Sequence, residues 1–262
     1  MFIIFDLDDT LIDTSESITP FQLKKALVFA LQKIGRSDEC VAAYKCLMEL
    51  NQGAPCGNSA LKTFLEHYGV SGEIIDGATE ILRSIPDPEI PILAMQNAQD
   101  VVQALSSHRL AIVTIGREEL QQYKLKKAGF DPSLFSKIIV TAERNKKIHY
   151  AALLEEYNQA PQKTIVVGDR VMIDLQPAKE LGCQTVRLLK GRGFQAFQKE
   201  EDHERIVKDP FGLTMPFCPE DSHSGSKGSF TPRACVVDHA IRHIDELIAI
   251  VERYEARSEG SI

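Results

Sequence analysis

Phe2-Ile3-Ile4-Phe5-Asp6-Leu7-Asp8-Asp9-Thr10 follows Met1 directly. Four apolar residues in a row are too few to cross a bilayer. Acids follow at once, so the run reads as neither a signal peptide nor a membrane span. A short run with no polar alternation instead predicts a strand buried on both faces, as in a parallel sheet covered by helices. Ligands of such sheets bind beyond the carboxyl ends of the strands. Asp6 and Asp8, separated by one residue, therefore fall at a ligand-binding edge. Carboxylates converging there oppose each other's ionisation, and a hard divalent cation relieves that opposition. Taken alone, the stretch also admits an acidic turn or a helix N-cap, the less favoured reading.

Working outward, similar apolar runs recur at residues 110–113, 138–140, 164–167 and 185–189. Helical spacing separates them. Val101, Val102 and Leu105 precede the second run; Leu120, Tyr123, Leu125 and Ala128 follow it and stop at Gly129, a residue suited to a helix C-cap. Ala151, Leu153, Leu154 and Tyr157 precede the fourth run. Strand and helix alternate, which predicts an α/β fold with a doubly wound, mainly parallel sheet. Residues 15–88 break the alternation. They read as helices over 21–34, 38–50, 60–68 and 73–85, punctuated by Gly35, Gly53, Gly69 and Gly72 and closed by Pro86, Pro88 and Pro91. The expected organisation is core over 1–14, an all-helical cap over 15–88 and core again over 89–262. A long Pro-, Gly- and Ser-rich loop is expected over about 208–232. Val237, Ile241, Ile244, Leu247, Ile248 and Val251 then predict one amphipathic C-terminal helix.

Three further segments carry chemistry. Val166-Val167-Gly168-Asp169-Arg170 delivers another carboxylate from a strand end, with Asp174 following about one turn later. Thr114, near the end of the second strand, offers a hydroxyl, and Gly116 would let a ligand approach the backbone. Lys146-Lys147 supplies a cation of the kind a phosphate site needs. Each piece alone is commonplace.

In this order, at four strand ends, they resemble the signature of the haloacid dehalogenase-like hydrolase superfamily. That signature is DxDxT after the first strand, Ser/Thr after the second, a later lysine, and GDxxxxD. The helical insert resembles the cap of phosphatase-like members, and the core resembles their Rossmann-like sheet. The resemblance implies that Asp6 is a nucleophile forming an aspartyl-phosphate and that Asp8 is the general acid and base. Thr114, Gly116 and Lys146 would bind phosphate. Mg²⁺ would sit among Asp6, the backbone carbonyl of Asp8, and Asp169, with Asp174 in support. The usual Lys-Pro is here Lys146-Lys147, so either lysine is a candidate; the spacing to Tyr150 favours Lys146. Ile115 stands where many members carry Asn. Dehalogenases of the family lack the second acid, so Asp8 points to phosphoryl chemistry. Phosphonate cleavage needs a cap lysine, and none is identified among Lys24, Lys25, Lys33, Lys45 and Lys62. A phosphomutase would use the same core. A non-catalytic binding module, with the 208–232 loop as its partner surface, is the alternative of a different class. Thr14, Ser17, Arg36, Asn51 and Gln52 are candidates for substrate contact from the cap, each also suited to an ordinary surface.

Bulk properties narrow the partners. The formal net charge of the 262 residues is -7, with no dense Lys/Arg cluster, which disfavours nucleic acid as a ligand and leaves a small phosphorylated substrate open. No stretch is long enough for a membrane span. The six cysteines lack CxxC spacing, so buried, reduced thiols in a cytoplasmic protein are expected. The oligomeric state stays open.

Overall fold

The computed structural model describes residues 1–54, 56–190 and 237–259. The expected loop at 208–232 lies outside them. The core is a six-stranded parallel sheet in the order β3-β2-β1-β4-β5-β6. Its strands are β1 (Phe2–Phe5), β2 (Arg109–Ile115), β3 (Lys137–Thr141), β4 (Thr164–Gly168), β5 (Gln184–Leu188) and β6 (His239–Ile241). β1 pairs with β2 on one side and β4 on the other, with Phe5 opposite both Ile112 and Val167. The strand order reverses beside β1, which makes the end of β1 the place for a ligand crevice.

The unalternated apolar runs are explained by their two faces. Ile3, Phe5, Leu110, Ile112, Ile165 and Val167 pack on one side, with Val101 and Val102 of α6 (Ala98–Ala104), Leu125 of α7 (Glu118–Lys127) and Leu247 and Val251 of α10 (Glu246–Glu259). Phe2, Ile4, Ala111, Val113 and Val166 pack on the other, with Tyr150, Leu153 and Leu154 of α8 (Lys147–Glu156) and Ala178 of α9 (Gln176–Lys179). The helix-to-strand turn after α7 uses Gly129 at φ +79°, a conformation that side chains with a Cβ resist.

A separate apolar cluster belongs to the helices between β1 and β2. After the one-turn α1 (Thr14–Ser17) come α2 (Thr19–Lys33), α3 (Cys40–Gly53), α4 (Gly57–His67) and α5 (Gly72–Leu82). Leu23, Ala26, Leu27, Ala30 and Leu31 form the buried stripe of α2, packed with Leu47, Leu61, Leu65 and Ala78. Gln22 ties α2 to the end of α5 by donating to the carbonyls of Ile81 (3.2 Å) and Ser84 (2.9 Å). The chain leaves and re-enters the sheet through paired linkers: Met95 N–H donates to Leu11 O (2.8 Å) and Asp13 N–H to Leu93 O (2.9 Å).

The C-terminal expectation is corrected. Residues 239–241 are not helical; they form β6, paired in parallel with Val186–Leu188. Asp238 anchors that strand by accepting from Thr185 N–H (2.9 Å) and Lys179 Nζ (2.6 Å). The helix begins only at Glu246, whose carboxylate accepts from the Arg242 and His243 amides, both at 2.8 Å. Spacings of three and four along a short edge strand and its loop imitate a helical stripe. The expectation of buried thiols holds for Cys183 and not for Cys40 and Cys56, which are half-buried, or Cys46, which is exposed; Cys218 and Cys235 lie outside the described residues. Among the described residues, no helix is long and apolar enough to cross a membrane.

Candidate active site

β1 and β4 end side by side, and hydrogen bonding runs on past them: Asp6 N–H donates to Val167 O at 2.9 Å. Asp6 and Asp169 therefore leave adjacent strands at one level. Asp174 reaches the same point because the chain after β4 turns back through a π-helical segment, Val171–Leu175. Gly168 is what admits it, since a Cβ there would lie 2.5 Å from the Asp174 Cβ. Oxygens of Asp6, Asp169 and Asp174 lie within 4.8 Å of one another, and all three residues are buried.

Lys146 enters this cluster with no exposed surface, donating to Asp6 Oδ1 and Asp174 Oδ1, both at 2.6 Å. Lys147 points outward to Glu180 at 2.8 Å. The two lysines differ because Lys146 stands just before α8 while Lys147 opens its exposed side. Asp174 Oδ2 accepts from the Arg170 amide (3.0 Å), whereas Asp6 Oδ2 and Asp169 Oδ1 are buried without a hydrogen-bond partner. Burial lifts the Asp6 carboxyl to about 6, against the lowering pull of Lys146 and helped by Asp174. Burial also lifts Asp169 well above the carboxylate range, opposed by Arg170 and reinforced by Asp174, Asp9 and Asp6. Burial disfavours the Lys146 ammonium, yet Asp174 and Asp6 outweigh it and hold that group above its usual value. Hard oxygen donors, three acids against Lys146 and Arg170, and two buried carboxylate oxygens without a hydrogen bond fit a divalent cation such as Mg²⁺.

The Asp8 carboxylate lies apart, in a second nest. It accepts from Thr14 Oγ1 (2.5 Å), Lys124 Nζ (2.8 and 3.1 Å) and Gln121 Nε2 (2.9 Å). Burial raises this carboxyl, but Lys124 and the hydrogen bonds from Lys124, Thr14 and Gln121 win and bring it to about 2. Its side chain thus has no place in the oxygen cluster, and only its backbone is left as a ligand from that residue. Thr114 is buried at the end of β2 and accepts from Gln121 Nε2 at 2.8 Å. Gly116 is exposed beyond the end of β2, its N–H donates to Thr141 O (2.9 Å), and the Gln121 side chain lies in the direction a Cβ would take, its Cγ 3.0 Å from that position.

Of the cap candidates, Thr14 serves Asp8, and the Ser17 hydroxyl donates to Asp13 O (2.5 Å). Arg36 forms a paired contact with Glu39 (2.5 and 2.6 Å). Asn51 is buried in α3 and Gln52 is exposed there. Gln121 and Lys124 carried no role in the sequence reading. The sequence shows only that they stand three apart on one helix face; that both are buried polar residues there is visible in the structure alone.

A family model for haloacid dehalogenase-like hydrolases matches residues 1–182. The chain belongs to that family. A glyceraldehyde 3-phosphate phosphatase of Methanocaldococcus jannaschii is 29% identical over 215 residues, covering 77% of this chain and 89% of the relative. One of the same description from Pyrococcus furiosus is 27% identical over 204 residues, covering 72% and 81%. The fold is also that of a putative HAD-hydrolase of Bacillus subtilis solved with magnesium (TM-score 0.59, 18% identical, 95% and 97% covered). A predicted phosphoglycolate phosphatase from Haemophilus somnus is similar too (TM-score 0.55, 19% identical, 74% and 87% covered).

Proposed function

We propose that this family member is a phosphatase that hydrolyses the phosphomonoester of a small metabolite, with Mg²⁺, through an aspartyl-phosphate on Asp6. The observation that carries the reading is the state of Asp6. One oxygen is fixed by Lys146, and the other is buried without a hydrogen bond, as is Asp169 Oδ1, which has the Arg170 guanidinium 3.9 Å away. The relatives described as glyceraldehyde 3-phosphate phosphatases support a small phosphorylated substrate.

Asp6, the backbone of Asp8, and Asp169, with Asp174 behind them, would hold the cation. When bound, it offsets the negative charge of the carboxylates and of the phosphoryl oxygens. Lys146 has three N–H donors, of which two go to Asp6 and Asp174, so one remains for a phosphoryl oxygen. Thr114 accepts from Gln121 and keeps its own O–H to donate. An Asp6 oxygen attacks phosphorus, the bond to the ester oxygen breaks, and Asp8 gives that oxygen a proton. Water then attacks phosphorus, the bond to Asp6 breaks, and Asp8 takes the water's proton. The nest around Asp8 favours its ionised form, which suits this second step; negative charge on an arriving phosphoryl group opposes that lowering.

The test is phosphate release from p-nitrophenyl phosphate and a panel of small phosphate esters, with and without Mg²⁺, for wild type and Asp6→Asn. We expect Mg²⁺-dependent turnover that the substitution abolishes. Equal rates for both proteins would sink the Asp6 mechanism, and no turnover on any ester would favour a binding module.

A further inference from the structure

We propose that Lys124 is a positioning residue for the water-attack step, holding Asp8 where it can take the proton of the water that cleaves the aspartyl-phosphate. The inference rests on the aspartyl-phosphate reading above and deepens it. Its basis is geometric. Lys124 leaves α7 with its side chain only 6% exposed, although Lys126 and Lys127 of the same turn are exposed. Burying a lysine is unfavourable without a fixed partner, and its ammonium spans both Asp8 oxygens at 2.8 and 3.1 Å. Gln121, on the same helix face, bonds Asp8 Oδ2 and Thr114 Oγ1 together. One helix therefore fixes Asp8 relative to Thr114.

A carboxylate has about four lone-pair sites, and the contacts from Thr14, Lys124 and Gln121 occupy both oxygens. One contact must yield when Asp8 accepts a proton. Lys124 touches both oxygens, so it can release one and keep the other, and the carboxylate stays oriented through the transfer. In that step water oxygen bonds to phosphorus, the electron pair of the P–O bond returns to Asp6, and the water proton moves to Asp8. Inorganic phosphate leaves. The proton now on Asp8 is the one given to the next ester oxygen.

Positioning and simple support of the fold separate in the kinetics of Lys124→Met. With p-nitrophenyl phosphate, a good leaving group, formation of phosphoenzyme asks little of Asp8. We expect the first-turnover burst of nitrophenol to stay within about threefold of wild type while steady-state turnover falls at least about tenfold. Covalent phosphate should then accumulate on acid quench. Lys124→Arg should recover part of the loss, and Lys126→Met should behave as wild type. Equal slowing of burst and steady state by Lys124→Met, or rates within twofold of wild type in both, would overturn the assignment. If Lys124→Met does not fold, Lys124→Gln runs the same comparison with a polar group in the slot. Asp6→Asn keeps the two ideas apart. An active Asp6→Asn removes the covalent reading, and the Lys124 role with it. An inactive one, with equal slowing by Lys124→Met, removes only the Lys124 role.

Discussion

The site holds two buried lysines, each set against carboxylates, and they solve different problems. Lys146 faces Asp6 and Asp174, with Asp169 beside them and the Arg170 guanidinium 3.9 Å from Asp169 and Asp174, so three acids face two cations and two carboxylate oxygens stay without a hydrogen bond. Lys124 faces Asp8 alone, and the remaining contacts come from the neutral donors Thr14 and Gln121. The first nest keeps an excess of negative charge, which fits the proposed cation; in the second, one lysine balances one carboxylate. The first nest suits binding and covalent chemistry, and the balanced one suits holding a group that moves protons.

Breaking the first nest should have the largest effect. Lys146→Met leaves three acids buried together, and we expect a loss of about 3–5 kcal/mol of stability, as for a buried ion pair deprived of one partner. Denaturant melts would measure it, and phosphate release should vanish as well. Next, Mg²⁺ at about 100 times its dissociation constant should stabilise wild type by about 2.7 kcal/mol, and chelation should reverse the gain. Thermal melts of Asp169→Asn should show little of it; an equal gain would mean the cation binds elsewhere.

The glycines sharpen the same contrast. Gly168→Ala drives a methyl to 2.5 Å from the Asp174 Cβ, close to the backbone and hard to move. We expect about 1–3 kcal/mol of destabilisation and Mg²⁺ affinity lowered about tenfold or more, read by titration calorimetry. Gly116→Ala meets the Gln121 side chain at 3.0 Å, which can shift. Its expected result is a turnover loss of a fewfold with Mg²⁺ affinity unchanged. Lys147→Ala, at an exposed pair with Glu180, should alter stability by less than about 0.5 kcal/mol and leave activity intact.

Much of the fold was legible because its signals are local. The runs at 2–5, 110–113, 138–140, 164–167 and 185–189 each fall on a strand of the sheet, within a residue or two at the ends. The stripe on α2 likewise announces a helix by its own spacing. β6 was not legible: three residues at a sheet edge have too little pattern, and they are strand only because Val186–Leu188 lie beside them. Of the site, the four motif segments could be read, while Gln121 and Lys124 could not be given a purpose. Their contacts run to Asp8, more than a hundred residues away in sequence.

By itself the sequence determined a buried parallel sheet with acids at its strand ends, since burial on two faces forbids polar alternation and concentrates polar groups where strands stop. Only the tertiary structure decided how those acids are shared. It set Asp6, Asp169 and Asp174 around Lys146 and drew Asp8 aside to Lys124. The reason is physical: a carboxylate's character depends on which donors and charges lie within a few ångströms, and the folded chain brings those neighbours from distant segments.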